Sequence, residues 1–161
     1  MKYYLTLFLS VFLLSCTTQN PTKYSKIQYE AGACFGFCPI FKMTINPDRT
    51  AVIEAEHFTF TKNHSKGEFS EQKEGTFTAT IKQADYNKMI NLLNSADLRS
   101  LKDHYKNRNV SDLPTSYLRI NFTDGTSKNI EDYGKNGTPK LKEIYEIMEN
   151  LRLDQTWKKI D

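Results

Sequence analysis

Two segments of this chain place an apolar residue at every third or fourth position, and much of the rest places one at every second. Tyr86, Met89, Ile90 and Leu93 share one helical face, as do Leu141, Ile144, Tyr145, Met148 and Leu151. Thr80 and Gln83 have capping-box spacing before the first run, and Pro139 opens the second where its missing N–H costs nothing. Strand-like runs cover residues 40–45 and 50–55 around the turn signal Asn46-Pro47-Asp48-Arg49. The alternation continues over 56–61 through Phe58 and Phe60, and returns over 75–81. Residues 117–123 and 126–130 flank Asp124-Gly125, the strongest short hairpin signal. These periods predict one α+β domain, an antiparallel sheet of about five or six strands with helices near 82–94 and 139–151 packed on one face. The domain is expected over residues 26–153, followed by a tail over 154–161 in which Trp157 caps the core.

The first sixteen residues assign a location. Lys2 precedes an apolar run from Leu5 to Leu14 that only Thr6 and Ser10 interrupt. As a helix this run spans roughly 15–20 Å, against about 30 Å for a bilayer core, so it has the shape of a secretory signal peptide. Leu13-Leu14-Ser15-Cys16 resembles a bacterial lipobox, which implies removal of residues 1–15 and lipidation of Cys16. Several acyl chains on one residue make a stable anchor where a single chain is marginal. Residues 16–25 are polar and contain Pro21, and read as a tether reaching at most about 30 Å. Thr17 follows the cysteine and no acidic cluster comes next, so the expected address is the outer membrane, facing the periplasm.

Three cysteines are present. With Cys16 given to lipid, Cys34 and Cys38 remain in an oxidising compartment, where an even remainder suits a disulfide. Their setting is Gly32-Ala33-Cys34-Phe35-Gly36-Phe37-Cys38-Pro39-Ile40-Phe41. Gly36 lets the chain fold back, and Pro39 biases Cys38 towards extended backbone. Two other chemistries stay open: thiol exchange, and soft-metal binding by both sulfurs. Neither has its usual context, since three residues separate the cysteines and His57, His64 and His104 lack ligand-like spacing. Phe35, Gly36, Phe37 and Pro39 form a candidate partner-binding loop, with the two rings either plugging the core or exposed as a pair.

The net charge of +3 over 161 residues is no electrostatic footprint for nucleic acid. No Gly-rich phosphate loop or Gly-x-Ser-x-Gly occurs, and no cofactor or resident metal is expected. Residues 102–113 read as a polar connecting loop.

The string Gly32-x-Cys34-Phe35-Gly36-x-Cys38-Pro39-x-Phe41, followed by strand, turn and strand, resembles the hallmark of the bacterial domain of unknown function 6438. The likeness extends over about residues 26–152. It implies a secreted or lipid-anchored protein of Bacteroidota-type bacteria and brings no activity with it. The chain departs from that pattern at the first turn, with Asp48-Arg49 where Asp-Gly is expected, and Arg resists a positive φ. The element order is also distantly similar to emfourin-type inhibitors of metalloproteases. The expected function is a non-enzymatic lipoprotein that binds an envelope protein or component. The alternatives are a metal-binding or thiol-redox protein using Cys34 and Cys38, and a protease-inhibitor-like module.

Overall fold

The computed structural model describes residues 22–61, 74–106 and 110–160. The leader and Cys16 lie outside them, as do residues 62–73 and 107–109. Ile27, Tyr29 and Ala31 alternate on the first strand, β1 (Tyr24–Ala31), which is followed by β2 (Phe41–Ile45), β3 (Thr50–Ala55) and β4 (Gly75–Thr80). Helix α1 (Gln83–Ser95) and a 3₁₀ turn at Leu98–Ser100 lead to β5 (His104–Tyr105). The hairpin β6 (Thr115–Phe122) and β7 (Ser127–Tyr133) comes next, then helix α2 (Pro139–Asp154) and β8 (Lys158–Lys159). The strands form one sheet in the order β5-β7-β6-β1-β2-β3-β4-β8. Every pairing is antiparallel except β5 with β7.

Register explains the single core. Tyr29 lies between Met43 and Leu118, and Ile27 between Ile45 and Ile120. Ile53 faces Met43, and Ile130 faces Leu118. All are buried together with Tyr86, Met89 and Leu93 of α1 and Leu141, Ile144, Tyr145, Met148 and Leu151 of α2. Both helices therefore cover one face of the sheet, and each fully buried apolar side chain stabilises by about 1.5–3 kcal/mol. The other face is polar: Lys42 pairs with Glu54 at 2.8 Å, Arg119 with Glu30 at 2.7 Å, and Gln28 donates to Thr44 Oγ1 at 3.0 Å.

The α+β architecture is as expected, but the sheet has eight strands rather than five or six. Two of the additional strands are two-residue pieces at the sheet edges, β5 within the expected 102–113 loop and β8 within the expected tail. β1 also begins at Tyr24, inside the stretch read as tether. Trp157 packs partly buried against the core, and its Nε1 donates to the carbonyl of Leu151.

Three local expectations fail for identifiable reasons. Residues 56–61 turn instead of continuing β3, because the Thr59 hydroxyl donates to the carbonyls of Ile40 and Glu56 and the Thr61 hydroxyl to that of Phe58. Thr80 stays in the β4 ladder opposite Thr50, so it does not cap α1. The Lys82 amide at that helix start is met by Gln155 Oε1 at 2.8 Å, from beyond the end of α2. Arg49 does adopt a positive φ, 71°, and the tight turn forms. Its Nη1 donates to the Ile81 carbonyl at 3.0 Å and its own carbonyl accepts from Ile81 N at 2.9 Å, which holds the strained residue in place.

Candidate functional site

Residues 32–40 join the central strands β1 and β2, so the cysteine loop stands at the end of the sheet. It starts with a close backbone approach. Gly32 N donates to the Thr115 carbonyl at 2.8 Å, and a Cβ at Gly32 would meet that oxygen at 3.0 Å. Phe35 N reaches the Asp112 carbonyl at 3.3 Å, and Gly36 N folds back on the Cys34 carbonyl at 3.0 Å. Gly36 has φ 148°, a value that glycine allows. Cys34 and Cys38 are joined as a disulfide with their Cα atoms 5.8 Å apart. Closing so short a loop constrains the unfolded chain by about 2 kcal/mol. The double variant Cys34→Ser, Cys38→Ser is therefore expected to lose about that much in urea unfolding, and the difference should vanish when both proteins are measured with reductant.

The two aromatic side chains of the loop part company. Phe35 is 90% exposed, the most exposed large apolar side chain among the described residues. Val110, 47% exposed, lies two residues before its backbone partner Asp112. Phe37 instead turns inward and meets the Phe58 ring edge-on, with centroids 5.4 Å apart. The expectation of a matched pair, both buried or both exposed, does not hold.

Beneath Phe37 lies the 57–61 turn, which fixes the loop from below. Ile40 N donates to the His57 carbonyl at 2.9 Å, and Glu56 N to the Ile40 carbonyl at 3.0 Å. Phe58 takes φ 61°, a strained value for an aromatic residue. Arg152 of α2 holds this turn in place. It is 6% exposed, and its Nη1 donates to the carbonyls of both Thr59 and Thr61. Burial draws the guanidinium below its ordinary pKa, and the negative charge of Glu149 opposes that shift. In the sequence Phe58 reads only as part of a continuing strand, and Arg152 is not singled out. The available signal for Arg152 was its position, four residues after Met148 on the apolar stripe of α2.

A second polar system braces the same end of the sheet. The buried Tyr29 hydroxyl donates to Glu149 Oε1 at 2.8 Å and lies 3.2 Å from Ser116 Oγ. Lys135 Nζ also reaches Glu149 Oε1, at 2.5 Å. Burial first, then the Glu149 charge, holds the Tyr29 phenol well above its usual range. Asp132, also buried, accepts from Asn136 N at 2.8 Å and Gly137 N at 3.0 Å. Burial nevertheless holds its carboxyl above the usual range, with those amides pulling it back.

Among the described residues, no three His, Cys, Asp or Glu side chains are grouped to hold a metal ion. No helix among them is long and apolar enough to cross a membrane. The site is a loop at the end of the sheet, closed covalently and bonded to neighbouring segments, with one aromatic ring turned to solvent. A search of curated proteins finds no match to the chain. The family model of the Domain of unknown function (DUF6438) matches residues 25–152, and the chain belongs to that family.

Proposed function

We propose that this DUF6438 protein is an outer-membrane lipoprotein, anchored through Cys16 and facing the periplasm, whose folded part binds an envelope protein and performs no catalysis. The observation that carries the reading is Phe35, 90% exposed on a loop that a disulfide and backbone hydrogen bonds hold in one shape. A rigid aromatic residue makes an effective interface anchor, because it buries a large area and little of its freedom remains to be lost on binding. β1 rises about 25 Å from Tyr24 to Ala31, so the loop follows the end of the first strand that lies farther in sequence from Cys16, which supports a loop presented away from an anchored end.

The address is tested by labelling with radioactive palmitate. The wild type should take up label and fractionate with membranes, and Cys16→Ser should do neither. Label on the Cys16→Ser protein would count against the anchor. Binding is tested by co-purification from detergent-solubilised envelopes. Phe35→Ser should reduce the recovered partner by about thirtyfold or more, with the melting temperature unchanged, as for an interface hot spot. Equal recovery by both proteins would remove Phe35 from the interface.

The exposed Phe35 ring also supports a second reading, a protease-inhibitor-like module that inserts residues 32–39 into a cleft. That reading requires stoichiometric inhibition of an envelope peptidase, lost in Phe35→Ser. A partner with no peptidase activity would exclude it.

A further inference from the structure

We infer that the free edge of β7 is a second binding site, independent of the disulfide loop, and that it takes an extended segment of a partner polypeptide as an added strand. Gly134 N donates to the Pro114 carbonyl, and Phe122 N to that of Thr126. The even-numbered residues of β7 therefore face β6. The odd-numbered ones turn their N–H and C=O outward, as Glu131 shows by donating to the Asp103 carbonyl at 2.8 Å. β5 uses this edge for only two residues, opposite Glu131 and Asp132. Next along the strand, the amides and carbonyls of Ser127 and Asn129 face no strand among the described residues.

The space beside them is shaped. A groove of about 490 Å³ runs along Ser127 to Glu131 and across the open face to Tyr117 and Arg119. The Arg119 guanidinium lies 5.0 Å from the centre of the Tyr117 ring. Leu101, which precedes β5, does not fill the edge, because its carbonyl accepts instead from the Lys128 ammonium. Lys128 also pairs with Asp103 at 2.7 Å, which draws the chain before β5 to the Lys128 side of the strand.

The edge itself specifies its occupant. Donors and acceptors alternating along a strand are matched by another extended backbone, and β5 already demonstrates that match on the same edge. A partner peptide suits the edge better than a second copy of this chain. Two β7 edges paired antiparallel about Lys128 or Asn129 could share only a few residues before the β5 of each copy met the hairpin turn of the other, whereas a short extended segment meets no such obstacle.

The test uses the full chain purified in detergent, with a random octapeptide library as the probe. Peptides should be enriched, and the best of them should lose about tenfold or more in affinity for Asn129→Pro, which removes an outward N–H, and less than about threefold for Asn129→Ala. Methylating alternate backbone amides of the same peptide should abolish binding without altering the protein, which covers a failure of Asn129→Pro to fold. The inference is overturned by failure to enrich any peptide, by tight binding of the methylated peptide, or by equal loss with Asn129→Ala. It is also overturned if sedimentation shows the edge occupied by a second copy.

Discussion

Replacing Arg152 with methionine is expected to destabilise the domain by about 2–4 kcal/mol, because it leaves two buried carbonyls without a donor at about 1–3 kcal/mol each. Those carbonyls belong to Thr59 and Thr61, and Arg152 Nη1 serves both. Methionine fills much of the arginine volume, so the loss reports hydrogen bonding more than packing. Lysine keeps the charge but has a shorter reach and no planar fork, and should recover only part of the loss. The effect should also spread to the site. Phe58 sits in the turn that Arg152 holds, and Phe37 rests against Phe58. The Ile40 amide, bonded to the His57 carbonyl, should then exchange its hydrogen faster than the core strands account for. Urea unfolding at pH 7 measures the first effect and amide exchange the second. A loss below about 1 kcal/mol in the methionine variant would mean that water or another donor meets both carbonyls.

Gly137→Ala should cost about 2–4 kcal/mol, combining overpacking with the loss of hydrogen bonds to a buried carboxylate. A Cβ at this position would lie 2.6 Å from Asp132 Oδ2 and 2.8 Å from Leu141 Cδ1, closer than real Cβ atoms come. Asp132 cannot yield without straining its hydrogen bonds from the amides of Asn136 and Gly137. The neighbouring Thr138 caps α2 by accepting from Leu141 N at 3.2 Å, so the disturbance should also loosen the first turn of that helix. Gly125→Ala is the control. Gly125 has φ 83° but open space around it, so alanine there should show backbone strain alone, about 1–2 kcal/mol. Thermal and urea unfolding of the two variants separate the causes. Equal losses would mean that the Asp132 clasp contributes nothing.

The α+β class was legible because its signals are long. Thirteen residues of α1 and sixteen of α2 hold a helical period, and the β6–β7 hairpin carries Asp124-Gly125 at its turn. β1 was missed although Ile27, Tyr29 and Ala31 alternate, since its first residues are polar and follow Pro21 and Thr22 without a break. β5 and β8 have two residues each, too few to carry any period, and exist only because a neighbouring strand offers an edge. The 56–61 segment shows the opposite failure. Its alternation is real, but hydroxyls of Thr59 and Thr61 capture nearby carbonyls and turn the chain. In the site, the disulfide followed from counting cysteines, and its loop from Gly36. The split between Phe35 and Phe37 was not legible. Both are phenylalanines flanking one glycine, and what separates them is Phe58, twenty-one residues beyond Phe37 and placed by a strained turn.

The central claim is that Phe35 on its braced loop contacts an envelope protein, and crosslinking in living cells tests it most directly. A photoreactive phenylalanine analogue at position 35 should give one adduct of fixed mass. That adduct should disappear in the Cys34→Ser, Cys38→Ser background and should be absent when the probe replaces Lys88, which is exposed on α1. No adduct at position 35 beyond that seen at 88, or an adduct that survives loss of both cysteines unchanged, would contradict the account.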